Sequence, residues 1–241
     1  MDIAALLGNE ADSLLAHTCA TIGRQSLLLP GPGHLDQVMI DSDRPAPVLR
    51  NLAHLYHHGR LAGAGYLSIL PVDQGVEHSG AASLAVNPDY FDPHNLCRLA
   101  AEGGCNAIAA TRGALGVVSR RWAGRLPLSA KLNHNQLLSY PEQDRQTRFG
   151  SAQQAFDVGA VGVGATIYFG SADCDRELEQ VAQLFEQAHR MGLFTVLWCY
   201  LRNPAFTVEG TNYEASADLT GQANPPRRHA ARRPDQAEAA R

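Results

Sequence analysis

Five short apolar runs separated by helix-like stretches constrain this chain more than any other feature. The runs fall at 66–72, 106–111, 126–133, 160–167 and 194–200. Helix signals lie between them at 92–102, 115–123, 152–158 and 175–191, with Gly103, Gly104 and Gly192 as stops. Near-continuous apolar runs mark strands covered on both faces, and their alternation with helices predicts a parallel sheet under a helical layer.

Two α/β architectures fit, an open doubly wound sheet and a closed barrel. No GxGxxG follows the first run, and Gly162 and Gly164 lie inside a strand instead of a phosphate loop. Asp73, Lys131, Tyr168 and Tyr200 recur at the carboxyl ends of successive strands. A barrel gathers its chemistry at that end, so the recurrence favours a barrel. Each residue alone has a plainer reading, such as an amphipathic tyrosine closing a strand.

Residues 1–65 read as a helical leader, with helices at 4–15 and 47–58 and an apolar patch broken by turns at 27–33. His54, His57 and His58 share part of the second helix, but no carboxylate or cysteine nearby completes a metal set. They read as surface histidines.

Net charge is −4 over 241 residues, which gives no general case for nucleic acid or an anionic membrane as partner. No apolar run approaches the roughly 20 residues that span a bilayer. The N-terminus lacks the basic start and apolar core of a secretory signal. Five scattered cysteines, Cys19, Cys97, Cys105, Cys174 and Cys199, form no CxxC pair and suggest reduced thiols in a cytoplasmic protein. Lys131 is the single lysine. Any mechanism that needs a nucleophilic lysine therefore has one candidate in this sequence.

The stretch YLSILPVDQGVEH at 66–78 ends its apolar run in Asp73, just before the Gln74-Gly75 turn. A carboxylate there is costly unless it is paired or used. Capping of the turn or of the next helix remains an equal reading.

The segments GYLSILPVDQGVEHS, KLNHN, GAVGVGATIYFGS, VLWCYLRN and SADLTGQAN resemble the archaeal-type class I fructose-bisphosphate aldolases, in their bacterial branch. The resemblance runs from about residue 1 to residue 224. It implies a (β/α)8 TIM barrel, a large homo-oligomer, a phosphorylated sugar as substrate, and neither metal nor other cofactor. It also implies cleavage of fructose 1,6-bisphosphate to dihydroxyacetone phosphate and glyceraldehyde 3-phosphate through a lysine Schiff base. Position by position, it places a polarising aspartate on Asp73, the wall of the site on Trp198 and the general acid/base on Tyr200. Lys131 falls on a third-strand lysine, a contact for substrate or a structural partner of Asp73.

The Schiff-base lysine of the family lies on a sixth strand, just after the segment that matches GQAN. No such strand is expected here, so the fold expectation is about the first five β/α units, at 66–224. The stretch 225–241, PPRRHAARRPDQAEAAR, has no lysine and no aromatic residue and reads as a disordered, non-family tail, suggesting a frameshift or truncated gene. Little or no aldolase activity is expected of such a chain. Two alternatives stand beside it: a non-catalytic remnant that associates with intact subunits, and a Schiff-base aldolase for another phosphorylated substrate.

Overall fold

The computed structural model describes residues 2–16, 25, 29–138, 141, 144–216 and 219–220. Cys19 and the 225–241 tail lie outside the described residues. The helix expected at 4–15 is broken. Asp2 caps α1 (Ile3–Leu7), and Gly8 ends it with φ +54, a left-handed turn that glycine adopts at little cost; α2 (Ala11–Leu15) follows. α3 (Ala46–Tyr56) starts behind Pro45 and carries one buried face of Val48, Leu52, Leu55 and Tyr56.

The repeating part then runs β1 (Ile69–Val72), α4 (Gly80–Leu84), α5 (Pro93–Glu102), β2 (Ala107–Thr111), α6 (Arg112–Trp122) and β3 (Leu128–Lys131). A two-residue antiparallel ribbon, β4 (Asn133–His134) with β5 (Thr147–Arg148), leads to α7 (Ala152–Asp157). β6 (Gly162–Phe169), α8 (Cys174–Arg190) and β7 (Phe194–Leu201) complete the repeats, and the hairpin β8 (Thr207–Val208) and β9 (Thr211–Asn212) follows. Local chemistry sets the helix starts: the Asp92 carboxylate, the Thr111 hydroxyl and a Ser151–Gln154 capping box each satisfy first-turn N–H groups.

β1, β2, β3, β6 and β7 form one parallel sheet in that order. It curls into an open half-barrel, five strands of a (β/α) barrel. Its outer face, including Ile108, Ala110, Leu128, Ala130, Val163, Ala165, Ile167 and Leu197, packs against the helices in one core. The inner face has a second core at the amino ends of the strands. There α3 sets Val48, Leu52 and Leu55 against Ala107, Ile69, Phe194 and Val196, closing the floor of the half-barrel.

The fully buried Asn106 side chain ties that floor down. Its Nδ2 donates to the carbonyls of Leu55 and His58 at 3.0 and 2.7 Å, and its Oδ1 accepts the Ser68 N–H at 2.9 Å. Past β3, the Asn133 side chain continues the ladder, exchanging two 2.7 Å bonds with the backbone of Thr166. Among the described residues no helix is long and apolar enough to cross a membrane.

Candidate active site

Strand alternation puts Lys131, Gly164, Thr166, Tyr168, Trp198 and Tyr200 on the inner face, towards the carboxyl ends of their strands. Lys131 is level with Gly164 in the pairing of β3 and β6. A Cβ at Gly164 would collide with the Trp198 ring, and one at Gly162 with the Phe194 ring. The glycines in GVGAT thus make room for two aromatic rings across the inner face.

Lys131 is 7% exposed. Its Nζ donates to Asp73 Oδ2 at 2.7 Å and to Glu77 Oε1 at 2.5 Å, and stands 5.8 Å from the centroid of the Trp198 ring. The turn after β1, with Gly75 at φ +99, brings both carboxylates round to the ammonium. Burial alone would push the Glu77 carboxyl up, but the His134 ring and the Lys131 ammonium outweigh it and hold it below the usual carboxylate range. Glu77 Oε1 also accepts the Asn135 N–H at 3.3 Å and lies 3.6 Å from Nδ1 of the buried His134. The other ring nitrogen of His134 is 3.2 Å from the Lys131 carbonyl, which can only accept. Nε2 thus donates towards that carbonyl, and Nδ1 is the edge that faces Glu77, where a proton would favour the carboxylate.

Tyr200 stands one step further up β7. The residue is 44% exposed, and its ring meets Tyr168 edge-on, with centroids 6.0 Å apart. The Arg202 guanidinium lies over both rings, at 5.4 Å from Tyr168 and 5.5 Å from Tyr200, and is anchored by Glu214 at 3.0 Å. Burial and the Glu77 charge push the Tyr168 phenol up to about 12, against the Asn135 side chain and Arg202, which pull it down. The buried Glu177 of α8 accepts the Tyr168 N–H at 2.9 Å and the Gln146 N–H at 2.5 Å, pinning the β3–α7 loop beside the strand ends. A cleft of about 590 Å³ opens beside Arg202, with Asp144, Ser171, Asp173 and Asn203 in its lining.

The structure thus brings Asp73, Lys131 and Trp198 into one cluster and sets Tyr200 beside it, against Tyr168 and Arg202. Sequence reasoning missed Glu77, His134, Asn135 and Arg202. A signal existed for Arg202, because continuing the alternation of Trp198 and Tyr200 by two residues reaches it. Ligand atoms of Asp73, Glu77 and His78 also lie within 4.8 Å of one another, a spacing a metal ion would accept, although no metal set was expected there. The Lys131 ammonium already bridges the two carboxylates of that group.

The sequence profile of the DeoC/LacD family aldolases matches residues 67–227. The chain belongs to the DeoC/LacD aldolase family. This bears out the expected family and the partial barrel. The chain is 53% identical over 219 residues to a probable fructose-bisphosphate aldolase class 1 of Chlamydia muridarum, covering 91% of this chain and 62% of that protein. It is similar to a fructose-bisphosphate aldolase structure from Slackia heliotrinireducens, at 26% identity and TM-score 0.66, covering 80% of this chain and 63% of the other. It is also similar to an archaeal fructose-1,6-bisphosphate aldolase whose catalytic lysine is covalently bound to the carbinolamine intermediate. That match has 29% identity and TM-score 0.58, over 71% of this chain and 64% of the other. This DeoC/LacD chain therefore spans less than two thirds of the length of these relatives.

Proposed function

We propose that this chain supplies the acid–base half of a class I, Schiff-base aldolase site that cleaves fructose 1,6-bisphosphate to dihydroxyacetone phosphate and glyceraldehyde 3-phosphate. In this chemistry an amine condenses with the substrate ketone. The resulting iminium accepts the electrons of the breaking carbon–carbon bond while a base removes the proton of the neighbouring hydroxyl. Tyr200 is the proton carrier in this reading, because its exposed ring stands at the mouth under the Arg202 cation. Tyr168 is unsuited to that task, since its phenol keeps its proton up to about 12. Asp73 polarises the groups around the amine, Trp198 walls the site, and Lys131 is a fixed cation for the substrate.

The single observation that carries this reading is the cluster of Lys131, Asp73 and Trp198 on one inner face, with Tyr200 next along β7. The imine-forming amine is assigned to none of these 241 residues. Lys131, the only lysine, has its Nζ bonded to two carboxylates, which occupy it and so withhold it from condensation. A second reading, a non-catalytic partner of complete subunits, draws on the same locked lysine. The apolar Ile3, Leu6, Leu14 and Leu15 exposed on α1 and α2 support self-association. The unbridged thiols of Cys97, Cys105 and Cys174 support a reducing, cytoplasmic setting.

The test is a chimera in which residues 1–220 are continued by the part of the Chlamydia muridarum relative that this chain does not cover. The catalytic reading expects fructose 1,6-bisphosphate cleavage that falls at least about 100-fold in Tyr200→Phe, the scale of a lost acid/base group. A folded chimera with no cleavage, or one indifferent to Tyr200→Phe, contradicts it.

A further inference from the structure

We propose that Glu77 is the positioning residue of this site: it fixes the Lys131 ammonium and leaves Asp73 an oxygen for the substrate side. This deepens the reading above and rests on it for its catalytic meaning. The two carboxylates that hold Lys131 are not equivalent. Glu77 Oε1 gathers the Lys131 ammonium at 2.5 Å, the Asn135 N–H at 3.3 Å and, at 3.6 Å, the Nδ1 edge of His134. All three come from KLNHN, so this one oxygen staples the turn after β1 to the end of β3. The backbone repeats the connection, with the Leu137 N–H donating to the Val76 carbonyl at 3.0 Å.

Asp73 meets Lys131 through Oδ2 alone, at 2.7 Å, and among the described residues its Oδ1 has no partner. Its side chain is also the more exposed of the two, 18% against 11%. A carboxylate with one engaged and one open oxygen can hold a neighbour and still turn to a ligand. One whose oxygen carries an ammonium and a backbone N–H in a buried setting is fixed. Charge leads to the same division. Glu77 and Asp73 together outweigh the single positive charge of Lys131, so removing Glu77 strips the ammonium of its nearest counter-charge and leaves one weaker hold.

The test uses the intact chain and needs no aldolase activity, because Lys131 is its only lysine. Trinitrobenzenesulfonate reacts with free amines, and peptide mapping then reads one side chain, with the N-terminal amine as internal reference. In Glu77→Gln, labelling of Lys131 is expected to rise about tenfold, the scale of one lost charge-assisted bond, and by less in Asp73→Asn. Asn106→Ala, which loosens the floor of the half-barrel without touching Glu77, should leave the rate within about twofold if the effect is local. If Glu77→Gln does not fold, Glu77→Asp, which withdraws the charge by one carbon, is read in the same way. An unchanged rate in the folded Glu77 variant overturns the assignment. So does a larger rise in Asp73→Asn or an equal rise in Asn106→Ala. Failure here leaves the chimera result untouched, and failure of the chimera leaves the labelling result untouched.

Discussion

The Trp198 indole occupies the space that any side chain at position 164 would need, so Gly164 sets where the ring lies. Because Gly164 is level with Lys131, that ring is carried to within 5.8 Å of the ammonium. A strand glycine, normally a small loss of stability, here shapes the wall of the site.

Gly164→Ala should therefore displace the indole and cost about 1–3 kcal/mol, the usual range for overpacking. Chemical denaturation with tryptophan fluorescence reads both effects. An unchanged midpoint and spectrum would show that the ring moves aside freely.

Asn106→Ala removes three side-chain hydrogen bonds and takes from the His58 carbonyl and the Ser68 N–H their Asn106 partner under the sheet. A loss of about 2 kcal/mol or more is expected from the unsatisfied groups. A urea titration checks this, and a shift within error would deny that the amide ties α3 to the strands.

Tyr168 should be among the last phenols to ionise, at about 12, because burial and the Glu77 charge oppose its phenolate. Ultraviolet titration of Tyr168→Phe should lose one phenol from the late part of the curve. Loss of an early-titrating phenol instead would contradict the placement of Tyr168.

Glu77 makes stability depend on acid. Its folded carboxyl is held below the unfolded value of about 4.3, so it stabilises the fold above that value and the contribution fades as pH falls through the folded value. The raised carboxyl of Glu177, driven by burial, has the opposite slope: it favours the fold while protonated and loses that advantage as pH rises. Glu77→Gln should flatten the acid limb of a stability–pH curve and keep the Glu177 component. An acid limb as steep as that of the parent chain would remove Glu77 from the account.

Much of the fold was legible because its strands are apolar runs and its helices carry clear starts and stops. The strand expected at 160–167 extends to Phe169, where apolar residues simply continue. The helix expected at 4–15 was misread because periodicity outweighed the left-handed turn at Gly8. In the site, Asp73, Lys131, Trp198 and Tyr200 were visible as polar or aromatic residues at strand ends. Glu77 and His134 were not, since Glu77 meets the Lys131 ammonium and the Asn135 N–H across sequence separations of 54 and 58 residues. No local pattern encodes such a contact. Gly164 was seen only as a glycine inside a strand, because its reason lies in a ring on the neighbouring strand.

The most direct measurement of the central claim is borohydride reduction of the 241-residue polypeptide in the presence of dihydroxyacetone phosphate, followed by intact mass and peptide mapping. With the Lys131 Nζ bonded to both Asp73 and Glu77, the account predicts no reduced adduct. A stoichiometric adduct on Lys131 would contradict it.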